Sequence, residues 1–344
     1  AIQFRDLWNW IFSAVKRAIV PVDLAYLIAL IIFPLVKYLE KKGIGPRGLS
    51  LAIVFILAAG LIFTAFYFIT PFVITEIRDF FTYDFPKIIT YLTVDMRDDF
   101  ILSPEVFDQI MGYIEDNNVI DGFLTGLLPS LFASLGSIAL PTITTIFLLP
   151  IMLIYYLLDY ETINEKIRSI VPVKHEKNVA ELGSRLNQTV GAYLRGQLML
   201  MLAIGAVATI IYKLIGLKYY FVFGLIVGIT NIIPYFGTVL AAAPPLLYSF
   251  ISAPVGPGPL LVLLVNVVVQ FIEGNIFQPI IMGKQLKMHP IVIIVSILFF
   301  GTLFGAIGVI FASPIAASIR VIWNFFKELN EKKNQTTQEG VANP

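Results

Sequence analysis

Glu273 closes a stretch of 54 residues, 219–272, that contains no Asp, Glu, Lys, Arg or His, and it sits in the run QFIEGNIFQPIIMGK. At 100° per residue, Asn266, Gln270 and Glu273 fall within about 60° of one another on a helix, a polar stripe on a Val/Leu/Ile surface. Lipid is a poor home for such a stripe. Facing a protein interior or a water-filled path, one carboxylate and two amides could hold a monovalent cation, exchange a proton or hydrogen-bond a small polar solute. The plainer alternative puts Glu273 among cytoplasmic headgroups, with the two amides bonding between helices for a modest gain.

Helix breakers cluster in the same region. Pro234 follows Asn231 in TNIIPYFG, Pro244 and Pro245 adjoin in AAAPPLLY, and Gly274 and Pro279 flank Asn275 and Gln278. Broken backbone at membrane depth is tolerated where it is buried in protein or lines a cavity, because its freed carbonyls and amides need partners. Transporter cores use discontinuous helices in this way. Ordinary proline kinks and surface loops are the competing explanation. Arg195, in GAYLRGQ beside Gln197, is either a cytoplasmic-edge anchor that snorkels or a gate partner for Glu273.

The elements that must position these residues are membrane helices. Hydrophobic residues make up 58% of the 344 and charged residues 14%, against about 25% charged in soluble domains. Mean hydropathy is +0.84. Further uncharged runs extend over 24–36, 48–75, 122–158 and 290–319, each a candidate span or pair of spans. The fold class is therefore all-α, a polytopic helical membrane protein with broken or re-entrant helices and a small helical extracellular insertion.

Charges in the connections set the expected orientation. Lys37, Lys41, Lys42 and Arg47 place their connection in the cytoplasm, whereas Glu76 to Asp121 holds eleven acids against Arg78, Lys87 and Arg97 and should face outward. Within it, Ser103, Pro104 and Glu105 form a helix start, followed by Phe107, Ile110, Met111 and Ile114 at helical spacing. Lys166, Arg168, Lys174, Lys177 and Arg185 bring the chain back inside, on an amphipathic helix over 160–192. Lys213 and Lys218 then fall outside, against the trend. Gly301, Gly305 and Gly308 offer a bend that returns the last apolar run to a cytoplasmic tail.

The resulting division is an interfacial amphipathic segment or remnant of a first span at 1–19, and a transmembrane pair at 20–72. The extracellular insertion covers 73–130, the transmembrane transport core 131–325, and a partly disordered tail 326–344. The chain opens on Ala1, which leaves room for a preceding segment.

Several chemistries are excluded or left unsupported. A net charge of +1 gives no reason to invoke nucleic acid, and the absence of cysteine removes disulfides and thiolate metal sites. No GxxxxGK[ST] run is present, so no nucleotide-driven motor is encoded. His175 and Glu176 begin a HExxH-like string, but Val179 stands where the second His belongs. No voltage-sensor ladder or intramembrane-protease setting is visible, and nothing calls for a cofactor or resident metal. What remains is passive or gradient-driven passage, with coupling to H⁺ or Na⁺ open.

Taken together, GAYLRGQ at 191–197, NIIPYFG at 231–237, QFIEGNIFQPIIMGK at 270–284, His289 with Pro290, and GTLFGAIGVIFASPIAA at 301–317 resemble the autoinducer-2 exporter (AI-2E) family of membrane permeases. The match is specific over the C-terminal half and looser over 21–51. The resemblance implies a polytopic permease of about eight spans, not an enzyme, acting as a homo-oligomer, with a pentamer the suggested number. Carried over by position, it marks Arg195, Gln197, Asn231, Pro234, Tyr235, Gly237, Glu273, Gly274, Asn275, Gln278, Pro279, Gly283, Lys284, His289 and Pro290. One departure stands out: a short charged segment precedes Pro21 where the family has a full apolar span.

The leading expectation is gradient-driven export of a small polar molecule such as autoinducer-2. In it Asn266, Gln270, Glu273, Asn275, Gln278, Asn231, Pro234, Tyr235, Arg195 and Gln197 lie along the pathway, and Gly274, Pro279, Gly283 and Lys284 form a gate or loop. A sodium or lithium/proton antiporter is the alternative. A non-transporting scaffold or receptor subunit, binding a partner through 76–121, and a simple pore are weaker ones.

Overall fold

The computed structural model describes residues 22, 24–90, 143–234, 236–252, 256–283 and 288–342. The expected segment at 1–19, the helix beginning near Ser103, Tyr235 and Lys284 lie outside the described residues. Every regular element that is described is helical, as the hydropathy and the scarcity of charge require. The helices are α1 (24–41), α2 (Arg47–Asp79), α3 (Phe85–Thr90), α4 (Ile143–Leu158), α5 (Tyr160–Ile170), α6 (Val173–Leu214), α7 (Tyr220–Thr230), α8 (Phe236–Ser252), α9 (Pro259–Ile272), α10 (Pro290–Phe304) and α11 (Ala306–Ala342). Two π-helical segments interrupt them, Phe80–Asp84 and Glu273–Met282.

Among the described residues, four helices are long and apolar enough to cross a membrane: Arg47–Ile88, His175–Leu214, Pro259–Met282 and Gly308–Glu331. Their outer faces carry large apolar side chains, with Leu61, Phe63, Phe66 and Phe68 each about 70% exposed, the surface that lipid requires. By contrast α7 has 11 residues and α8 has 17. At 1.5 Å per residue they reach about 16 and 25 Å, short of a hydrocarbon core of about 30 Å.

The chain forms two compact units: Ala1–Leu61, Leu140–Gly196 and Gln285–Pro344 make the first, Ile62–Ala139 and Gln197–Lys284 the second. In the first, Ala25, Ala29, Val36, Leu51, Val54, Leu153 and Leu157 form the core. The fold-back foreseen among the late glycines falls at Gly305, whose φ of 64° is left-handed and which ends α10. Gly308 completes the turn, because a Cβ there would lie 1.9 Å from the Phe300 carbonyl oxygen. α11 then continues to Ala342, so the polar residues beyond Asn334 are helical in this structure.

In the second unit, α6 and α7 meet backbone to backbone. Gly205 approaches Gly228, and Gly224 lies so close to Thr209 that an added Cβ would be 2.7 Å from the Thr209 Cα. Small residues four apart on each helix allow that approach, the usual solution where no hydrophobic drive separates helix from lipid. Tyr212, Phe223, Val227, Ala241, Tyr248, Val262, Val265 and Val269 close the core behind them.

Proline behaves differently at its several positions. Pro234 does break the chain: α7 ends in a tight turn in which Ile232 and Ile233 N–H donate to the carbonyls of Ile229 and Thr230. Gly237 is pressed against the Thr230 carbonyl as the chain turns back into α8. Pro244 and Pro245, by contrast, lie inside continuous helix. The two prolines remove two adjacent ladder hydrogen bonds, and α8 continues through them, so they are not breakers.

Candidate functional site

The buried face of α9 is drawn by Val262, Val265 and Val269, spaced three and four apart. The next position on that stripe is Glu273, only 2% exposed. The carboxylate is therefore buried because it continues the apolar face. Gln270 is turned 100° from Val269 and is exposed. Asn266 lies between: its Oδ1 accepts from the Tyr212 hydroxyl at 2.9 Å and its Nδ2 donates to the Val262 carbonyl at 2.8 Å.

At Glu273 the helix widens to π geometry, which runs to Met282 and ends at Gly283 with φ 54°. A π-helix stacks residues five apart, where an α-helix would turn them well away from each other. Gln278 thereby comes over Glu273 and donates Nε2 to its Oε1 at 3.5 Å. The second neighbour is Asn231, the C-cap of α7, whose side-chain amide lies beside the same carboxyl. Asn231 is itself buried and held from behind, because Gln197 Nε2 on α6 donates to its carbonyl at 2.7 Å.

Four polar side chains thus converge from three places: Gln197 on α6, Asn231 at the tip of the α7–α8 hairpin, and Glu273 with Gln278 on the π segment. Glu273 Oε2 is buried and has no hydrogen-bond partner among the described residues. The neighbours are amides, which can donate to the carboxylate but bring no balancing charge. Asn231 also marks the negative end of the α7 dipole. A proton or a monovalent cation on Oε2 would relieve the cost of holding an ionised acid here.

The remaining sequence candidates are placed elsewhere. Asn275 is exposed and donates to the Phe271 carbonyl at 3.0 Å, and Gly274 and Pro279 are exposed on the π segment. His289 caps α10, its Nδ1 accepting from Ile291 N–H at 3.3 Å, with Pro290 as the first helical residue. Arg195, in the first unit, donates to the Leu30 carbonyl at 2.6 Å. Leu30 precedes Pro34 by four residues in α1, and proline has no N–H to give that carbonyl. The guanidinium replaces the missing donor.

Two acids that had counted only as charges of an outer connection hold the opposite end of α7. Glu76 Oε2 accepts from the Val222 N–H at 3.0 Å, capping the helix from outside its own chain segment. Asp84 accepts from Lys218 Nζ at 2.8 Å, Tyr219 Oη at 2.6 Å and Lys87 Nζ at 3.0 Å. Lys218, one of the two cations against the expected charge trend, shares that acid with Lys87. Its hydrogen bond to Asp84, and then that with Tyr219, hold the ammonium above its ordinary lysine value. The GLIVG run at 224–228 was the available signal for the α6–α7 contact, and the Leu30/Pro34 spacing for Arg195. Nothing in sequence order points to Glu76 with Val222.

Long apolar helices, a hairpin of two short ones and an uncompensated buried carboxyl define a polytopic membrane protein with a polar site at its helix breaks. The sequence matches the AI-2E family transporter model over residues 7–328, and the chain belongs to that family. Among its relatives, YrrI and YueF of Bacillus subtilis (strain 168), both provisionally named as transport proteins, are 29% and 28% identical. The first alignment covers 93% of this chain and 90% of the relative, the second 94% and 88%. The AI-2 transport protein TqsA of Escherichia coli (strain K12) is 28% identical over 62% of this chain and 59% of its own length.

Proposed function

We propose that this multi-pass membrane transporter exports a small polar molecule, autoinducer-2 or a related solute, driven by an ion gradient. The observation that carries the proposal is Glu273 Oε2, buried and without a partner amid the amides of Asn231 and Gln278. An acid in that state can exchange a proton with one side or the other as the site opens. The amides offer donors and acceptors to a polar solute, which the apolar remainder of the unit does not. TqsA, by its name, transports AI-2, which supports the choice of solute class. In the proposed orientation the connection after α3 faces outward and the end of α11 lies in the cytoplasm, with Lys213 and Lys218 the exceptions to the charge trend.

The same carboxyl supports a second reading, sodium or lithium/proton antiport, because a lone membrane acid is its minimum equipment. Purified protein in vesicles separates the two. Export predicts flux of a polar solute under an imposed pH difference. Antiport predicts a sodium-induced change of internal pH with no solute present. Failure of every solute in a panel that includes autoinducer-2, together with a sodium response, would move the assignment to antiport.

A further inference from the structure

We propose that Glu76 and Asp84 are positioning residues for transport: they fix α7 along its axis, so that Asn231 at its far end meets Glu273. The consequence for transport rests on the site assigned above; the placement itself does not.

α7 is a rigid rod of 11 residues with the site at one end and the two acids at the other. Its contact with α6 is made by Gly224 and Gly228 against Thr209 and Gly205. Such a face brings the backbones close, but it offers few side-chain knobs to resist sliding by a fraction of a turn. The acids supply what that face lacks. Glu76 grips the Val222 N–H within the first turn, where the helix dipole favours negative charge. Asp84, 7% exposed, takes hydrogen bonds from Lys218 and Tyr219 immediately before α7 begins. The helix containing Glu76 runs on through the first π segment to Asp84, so both grips come from one continuous element.

Glu76 is also costly where it stands, half of a buried polar contact in a largely apolar helix. Leucine at that position would serve a purely structural helix contact. A carboxylate is suited to holding a helix N-terminus at a set height.

The natural chain contains no cysteine, so a single thiol can report on the tip. Ile232→Cys, next to Asn231, is made in the full chain, and its reaction with N-ethylmaleimide is followed in nanodiscs. With E76L or D84L the labelling rate should rise by about tenfold or more, the factor carried by one lost hydrogen bond to a charged group. E76Q, whose amide oxygen still accepts from Val222 N–H, should stay within about twofold, and the exchange D84K/K218D should return D84L-like labelling towards the parent. V262A, a core truncation in α9, serves as a control for general loosening and should lower thermal stability without comparable labelling. Unchanged rates in E76L and D84L would overturn the proposal. So would a V262A rate as high as theirs, or E76Q behaving like E76L.

Discussion

Gln278 stands five residues after Glu273 and donates to its carboxyl at 3.5 Å, a pairing that exists because the helix between them is π-helical. In an α-helix, Gln278 would point well away from Glu273, and the acid would lose one of its two amide neighbours. The local widening is what turns a buried carboxylate into a site with donors of its own. Gln270, on the α-helical turn before the π segment begins, shares the helical arc of Glu273 but lies exposed.

That difference in exposure gives a direct comparison between two glutamines. Q278A should reduce transport by about tenfold, and Q270A by less than about twofold, because only the first removes a hydrogen bond from the buried acid. Flux assays in vesicles at matched protein levels check this. Equal effects would return Gln270 to the site.

Arg195 and Pro34 make a second pair. R195A should destabilise the protein by about 1.5–3 kcal/mol, the cost of removing a charged donor from a buried carbonyl. In a P34A background, the restored N–H at position 34 can take the Leu30 carbonyl, so most of that penalty should vanish. A double-mutant cycle on thermal or chemical unfolding reads the coupling, and additive effects would show that the guanidinium has another duty.

The α6–α7 contact should be intolerant of volume. G224A places a Cβ 2.0 Å from Thr209 Oγ1 and 2.7 Å from its Cα. The expected result is a loss of about 1–3 kcal/mol or more, seen as reduced yield of folded protein. T209G should restore only part of it, because backbone atoms of residue 209 remain in the way.

Lys218 predicts an alkaline dependence. A lysine raised by its partner contributes stability that is fully present below its unfolded value of about 10.4 and is lost as pH rises through the folded value. With the side chain 53% exposed, solvent screening limits the contribution to about 1 kcal/mol or less. Melting temperatures of wild type and K218M should therefore differ slightly at pH 8 and begin to converge only once pH exceeds the unfolded lysine value of about 10.4.

Helical class, membrane character and Glu273 itself were legible in the sequence, because charge is so scarce that one acid after 54 silent residues is conspicuous. The break at Asn231 and Pro234 was legible from the proline, which has no N–H for the helix ladder. Gln278 was singled out, but its contact with Glu273 was not, since a 100° wheel has no place for a π segment. The two grips on α7 were hidden for a different reason. Glu76 and Val222 are 146 residues apart, and residue order says nothing about which helix end a distant acid will cap. A separation of 165 residues likewise hid Arg195 and Leu30, although Pro34 was the visible half of that pair. Pro244 and Pro245 misled, because a proline pair reads as a break while the surrounding helix persists around it.

In the proposed mechanism Glu273 is the group through which the gradient acts. The most direct measurement is flux of autoinducer-2 across proteoliposome membranes under an imposed proton gradient, comparing wild type with E273Q at equal folded content. Glutamine keeps the shape and an acceptor for Gln278 but cannot exchange a proton. Wild type should show gradient-dependent flux and E273Q a loss of about tenfold or more, with unchanged thermal stability. Gradient-driven flux in E273Q equal to that of wild type would contradict it.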